Sequence, residues 1–147
     1  MKCLNKQRIN LAALSTGPAI SMLDDALAYT IEREQFGRPI AENQLVQAML
    51  AESKVEIECA RALILETARK RDRGEDVTMD VSMCKYYATE MCGRVADRVV
   101  QIFGGQGYVK GRGIERFYRD VRATRIYEGT SQIHLLNIAK NLYRQMG

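Results

Sequence analysis

Apolar side chains recur at three- and four-residue steps through most of this chain, the period of an amphipathic helix. In the first such stretch Ile9, Ala12, Ala13, Ile20, Leu23, Leu27 and Ile31 share a stripe, which predicts a helix from near Leu4 to near Arg33. Gly17-Pro18 interrupts it, so a kink or local loosening is expected there rather than a chain reversal. Phe36-Gly37-Arg38-Pro39 reads as a breaker. A second stripe runs through Leu45, Ala48, Met49, Val55, Cys59, Ala62 and Leu63 and stops at Arg73-Gly74, a cationic last turn followed by glycine. The third is the cleanest, with Val81, Cys84, Ala88, Met91, Val95, Val99 and Ile102 ending at Gly104-Gly105. The fourth is expected from Ser131 to about Gln145, with Leu135, Ile138, Ala139 and Leu142 on one side. Thr130 before it is a candidate N-cap, since its hydroxyl can accept from an unpaired backbone N–H.

The stretch between the third and fourth helices, Gly104 to Gly129, is rich in glycine and predicts one short helix around Ile114 to Val121. No β-pattern of useful length occurs. Four long amphipathic helices with short early connections predict an all-α fold. The expected architecture is an antiparallel up-and-down four-helix bundle, one domain over 1–147, with an extra short helix in the 105–129 connection.

Composition narrows this picture without changing it. A chain of 147 residues, 46% hydrophobic and 27% charged, is long enough to bury its own core. The net charge of +4 is spread among acids, so no nucleic-acid-binding face is expected. The densest basic run, Arg69-Lys70-Arg71-Asp72-Arg73, falls at a helix end, where it complements the dipole. Cys3, Cys59, Cys84 and Cys92 have no metal-ligand spacing, and the single histidine, His134, is far from them in sequence. Three of the four lie in apolar-periodic stretches and are expected to be reduced core residues of an intracellular protein. No metal site and no membrane insertion are expected, and the first residues lack the apolar run of a signal peptide.

Candidate chemistry is sparse. Gly104-Gly105-Gln106-Gly107 lacks the lysine and hydroxyl residue of a Walker loop and the strand of a dinucleotide fingerprint. It terminates a helix, or lets a ligand lie against bare backbone. Glu128, in Tyr127-Glu128-Gly129-Thr130, precedes a helix start, where an acid is favoured by the dipole alone. The string Arg112, Glu115, Arg116, Arg119, Asp120, Arg122 and Arg125 mixes ion pairs with surface, and buried Arg–Asp pairs there would brace the loops around Glu128.

Three linked stretches carry a resemblance. They are Arg33-Glu34-Gln35-Phe36-Gly37-Arg38-Pro39-Ile40, Gln101-Ile102-Phe103-Gly104-Gly105-Gln106-Gly107-Tyr108, and Arg119-Asp120 followed by Ile126-Tyr127-Glu128-Gly129-Thr130-Ser131-Gln132-Ile133. In order and spacing they resemble the C-terminal helical domain of the acyl-CoA dehydrogenase family, across essentially the whole chain. The resemblance covers that domain only, without the family's N-terminal helical and central β domains, and so implies half a site. It implies FAD as cofactor, an acyl-CoA thioester as substrate, electron-transfer flavoprotein as electron acceptor and a homo-oligomer, dimer or tetramer. By motif, Glu128 would be the base that takes the α-proton, while the β-hydrogen leaves as hydride to flavin N5. A thioester α-C–H is a weak acid, so such chemistry needs a positioned carboxylate. Some branches of the family carry the base on the first helix instead, and Glu128 puts this sequence with the majority. Arg8 matches a position beside the base and the CoA, and Gly129 a substrate-binding one. Arg33, Phe36, Gln101, Gly104 and Gly105 match positions that contact the FAD of a neighbouring subunit, and Thr130 and Gln132 match positions on the subunit's own flavin. Asn43 and Gln106 sit where the family varies. A cytoplasmic location in a bacterium, or a mitochondrial matrix one in a eukaryote, would follow. The competing readings are a helical assembly module without catalysis and a related flavin reductase or oxidase with another substrate.

Overall fold

A computed structural model describes residues 2–146, with side chains described over 7–146. Helix α1 covers Lys2–Glu32, and a two-residue ladder, β1 (Glu34–Gln35) with β2 (Arg38–Pro39), leads through a 3₁₀ turn to α2, Gln44–Asp72. Helix α3 is Thr78–Phe103, followed by two short helices, α4 (Gly105–Tyr108) and α5 (Ile114–Ala123), and by α6, Ser131–Met146. The expected all-α bundle is what forms. The connection before α6 holds two short helices where one was expected.

The helix boundaries follow from local chemistry. At the end of α2 the Gly74 N–H donates to the Arg71 carbonyl and the Glu75 N–H reaches back to the Lys70 carbonyl, the pairing of a Schellman motif. Asp76 accepts from the Thr78 N–H and hydroxyl at the start of α3, and those bonds hold its carboxyl below the usual range. Arg144, late in α6, lies close enough to add to that effect. The end of α6 therefore sits by the start of α3, and the two helices run antiparallel. Pro18 does not interrupt α1. Proline forfeits one bond, to the carbonyl of Leu14, and Leu14 is exposed, so water replaces the lost donor.

Helix α3 packs against α1, α2, α5 and α6 and is buried on most of its circumference. Met91, Val95 and Val99 meet Ala12, Ala19, Met22, Ala26, Ile57 and Ala60 in one core. Burying each large apolar side chain there contributes about 1.5–3 kcal/mol. The predicted stripe of α3 is the observed one. That of α2 is not: its buried face is Ser53, Ile57, Ala60, Ile64 and Thr67, while Leu45, Ala48, Val55, Cys59 and Ala62 face outward. Ser53 explains part of this, because its hydroxyl bonds to the Met49 carbonyl one turn back and can enter the core satisfied. Helix α6 is also rotated from its expected face, although Ile138 and Ala139 stay part-buried. Ser131 and His134 are buried, whereas Leu135 and Leu142, two of the four residues of its predicted stripe, are half exposed. Cys84 and Cys92 are core residues, and burial raises both thiols, Cys92 to about 12. Cys59 is exposed, and Cys3 lies outside the residues whose side chains are described.

Candidate active site and cofactor groove

Two polar regions stand at opposite ends of the bundle. Arg8 and Arg33 belong to them respectively and are about 37 Å apart along α1, at 1.5 Å per residue.

The first region surrounds Glu128. This residue has φ 57, in the left-handed region that costs an ordinary residue about 1–2 kcal/mol. The strain is held by contacts to backbone. Arg8 donates through Nε to the Glu128 carbonyl at 3.2 Å, and His134 Nε2 lies 3.2 Å from the same oxygen. Lys85 Nζ donates to the next carbonyl, that of Gly129, at 2.6 Å. Gly129 has φ 96, and a Cβ on it would stand 3.1 Å from His134 Nε2, so neither the conformation nor the space admits a side chain easily. One carboxylate oxygen of Glu128, Oε2, is buried and has no hydrogen-bond partner among the described residues.

Two further contacts dock this loop on α3. The Ser131 hydroxyl donates to Glu90 Oε1 at 2.5 Å, and the Arg125 guanidinium lies 3.4 Å from Glu90 Oε2, too far out of line to give Nε a hydrogen bond. Arg125 fits because residue 93 is glycine: a Cβ there would lie 1.6 Å from Nη2. The brace near Glu128 is thus Arg125–Glu90, not the Arg–Asp pair expected from the charged string. Thr130 caps α6 by accepting from the Ile133 N–H, at a long 3.4 Å.

Burial dominates the electrostatics of this region. Lys85 is fully buried, which lowers its pKa, while Glu90 and Glu128 pull the other way. His134 is held down to about 4 by burial first and by the nearby charges of Lys85 and Arg8 second. It is therefore neutral at pH 7, with Nε2–H donating to the Glu128 carbonyl and Nδ1 left without a partner.

The second region is an open groove of about 740 Å³ where α1, the β1–β2 turn, α2 and the end of α3 meet. Arg33, Phe36, Gln101, Gly104 and Gly105 all line it. Phe36 and Gly37 have φ 55 and 77, the geometry of a type I′ hairpin turn, which holds the Phe36 ring 97% exposed at the tip. Gly104 takes φ 59 and ψ −137, a backbone state that glycine alone reaches readily, and a Cβ on Gly104 or Gly105 would project into open space. The ring of Tyr29 stacks on Phe103 with centroids 4.1 Å apart and forms the groove's aromatic wall.

The anticipated residues thus separate into two groups. Arg8, Glu128, Gly129 and Thr130 gather at one end, with Gln132 exposed on the first turn of α6, and Arg33, Phe36, Gln101, Gly104 and Gly105 gather at the other. Sequence reasoning missed Lys85, Glu90, Gly93 and His134. The signal for two of them was present, as a lysine inside the apolar stripe of α3 and a polar row Ser131, His134, Asn137, Asn141 at helical spacing on α6. It also gave no role to Asn43 and Gln106, both of which line the groove.

Residues 1–143 match the family described as acyl-CoA dehydrogenase, C-terminal domain. The chain belongs to the acyl-CoA dehydrogenase family, as a C-terminal domain of it. It is 42% identical to a 3-(aryl)acrylate reductase of Clostridium sporogenes over 98% of this chain and 38% of that protein. It is 40% identical to a subunit of the caffeyl-CoA reductase–Etf complex of Acetobacterium woodii, over 99% and 38%. The solved structure of butyryl-CoA dehydrogenase from Megasphaera elsdenii superposes with a TM-score of 0.92 at 38% identity, covering 95% of this chain and 37% of that one. The chain therefore spans a little over a third of the length of the relatives it matches.

Proposed function

We propose that this chain supplies the base and part of the cofactor cradle of an FAD-dependent acyl-CoA dehydrogenase, the N-terminal helical and central β domains completing the site. The observation that carries this reading is the Glu128 carboxylate, held on a strained backbone with one buried oxygen unpartnered. An acceptor so placed is free to take a proton, and its own residues fix where it sits. The α-hydrogen of an acyl-CoA thioester is the proton it would take. The groove fits a flavin nucleotide: bare backbone at Gly104 and Gly105 lets a ligand approach, Arg33 offers charge for a pyrophosphate, and Phe36 offers a ring to pack against it. Bound flavin would supply the hydride acceptor for the β-carbon.

Because the groove and Glu128 lie at opposite ends of α1, a given flavin would meet the groove of one subunit and the Glu128 end of another. This reading carries with it a homo-oligomer. Electron-transfer flavoprotein would be the redox partner. Among the described residues no helix is long and apolar enough to cross a membrane.

A second reading concerns direction. Both of the curated relatives described above carry reductase in their names. In that direction Glu128, as a carboxylic acid, returns a proton to the α-carbon, so the same side chain serves both. Assaying the flavoenzyme that carries this domain with an acyl-CoA and with the matching enoyl-CoA separates the two. In that enzyme Glu128→Gln should leave flavin content intact and reduce turnover by roughly 10²–10⁴-fold in either direction. Turnover close to the parent's would assign the proton transfer to another group.

A further inference from the structure

We propose that Lys85 is a positioning residue for the Glu128 base, acting through the Gly129 carbonyl. The proposal rests on the assignment of Glu128 as base.

Lys85 lies on α3, far from the motif that contains Glu128, and is fully buried. A buried ammonium is costly unless it is paired, and in most proteins the partner is a carboxylate. Here the hydrogen-bond partner is a backbone carbonyl, that of the residue after the base. That carbonyl belongs to the Gly129–Thr130 peptide, one removed from the Glu128–Gly129 peptide that flanks the base, so the bond fixes the turn on which Glu128 sits. With φ 57 at Glu128 and φ 96 at Gly129, this turn is closed by a long backbone bond, from the Ser131 N–H to the Arg125 carbonyl at 3.3 Å, and a rotation of either residue would swing the carboxylate away. Arg8 from α1 and His134 from α6 fix the preceding carbonyl. Lys85 from α3 fixes the following one, so the base is clamped from three helices.

The charged groups facing Lys85 agree with this. Glu90 on its own helix and Glu128 on the loop oppose its loss of charge, Arg8 favours it, and His134 is neutral. Glu90 is already engaged by Ser131 and Arg125. The partnerless oxygen of Glu128 shares the pocket with an ammonium that donates to one carbonyl. Lys85 therefore holds the backbone of the base and supplies a compensating charge near its carboxylate.

The test compares Lys85→Met, which removes donor and charge, with Lys85→Gln, which keeps a donor, in the flavoenzyme that carries this domain. Lys85→Met should lower kcat about 100-fold with KM nearly unchanged, the scale of a small misplacement of a catalytic group. Deuterium wash-in at the substrate α-carbon should fall in step, and Lys85→Gln should recover about tenfold of the loss. In the flavin-free protein the Gly129 carbonyl carbon resonance should move upfield in Lys85→Met, reporting the lost hydrogen bond without turnover. Unchanged kcat per bound flavin in Lys85→Met would overturn the proposal. So would a loss confined to melting temperature or flavin content. If Lys85→Met fails to fold, Lys85→Gln decides: a kcat about tenfold below the parent's at unchanged KM upholds the role, and parental kcat removes it. Glu128→Gln measured alongside separates the two claims. An active Glu128→Gln rejects the base itself, whereas an inactive Glu128→Gln with a fully active Lys85→Met rejects only the role of Lys85.

Discussion

At the Glu128 end, polar groups are buried and tied to one another. Lys85, His134, Glu90 and Ser131 are inside or nearly so, and each contacts backbone or side chain from another part of the chain. At the groove end, Arg33, Phe36, Gln101, Gly104 and Gly105 are all exposed, and the side chains of Arg33, Phe36 and Gln101 share a surface without hydrogen bonds to one another. The Glu128 end is organised by this chain's own contacts. The groove end offers a shape and a charge and leaves the contacts to be made by what enters it. Substitutions at the first should therefore register in folding and chemistry together, while substitutions at the second should register in binding alone.

The largest effect outside catalysis is expected from pH. His134 titrates near 4 in the fold against 6.5 when free. A base whose folded pKa is depressed contributes its full share of stability above the free value, and that share is lost as pH falls toward the folded value. Stability should thus decline between pH 6.5 and about 4, by up to about 3 kcal/mol, and then level off. Denaturant melts of the chain and of His134→Gln across that range read this directly. A slope that survives in His134→Gln would place its origin elsewhere.

Arg33→Ala should sharpen the contrast from the other side. Its melting curve should overlay the parent's to within about 0.5 kcal/mol. FAD affinity of the assembled enzyme should fall roughly 10- to 100-fold, the loss of a charge-assisted hydrogen bond. A destabilised Arg33→Ala would break the distinction between the two ends.

The smallest effect is expected at Gly93. A methyl there displaces the Arg125 guanidinium, which is flexible enough to move, so the cost is its contact with Glu90 and should be about 1 kcal/mol. Adding Gly93→Ala to Arg125→Met should then cost nothing more, which a double-mutant cycle in urea would test.

The four long helices, their ends and the motif stretches were legible from the sequence because they depend on local signals, whereas the short α4 was not. Period, glycine stops and capping residues act over a few positions, and the stretches around Phe36, Gly104 and Glu128 are each contiguous. The faces of α2 and α6 were not legible. Leu45, Val55, Leu135 and Leu142 form apolar rows at helical spacing, yet Ser53, Thr67, Ser131 and His134 are the residues buried. Hydropathy orders residues by their cost of burial in isolation. Ser53 bonds to its own helix, Thr67 meets Cys84, and Ser131 and His134 meet partners brought from α3 and the 125–129 loop. Once those partners exist the cost disappears.

The sequence by itself determined that this is a helical bundle of the acyl-CoA dehydrogenase family with an acid at position 128 and a glycine break at 104–105. Tertiary structure alone decided that the acid is clamped by Arg8, Lys85 and His134 from three helices, and that the groove lies a helix-length away. Those facts depend on residues such as Lys85 and Gly129, 44 positions apart, meeting within hydrogen-bond distance. No periodicity or motif encodes such a meeting, because it is fixed by how the helices pack and by which buried polar groups each must satisfy.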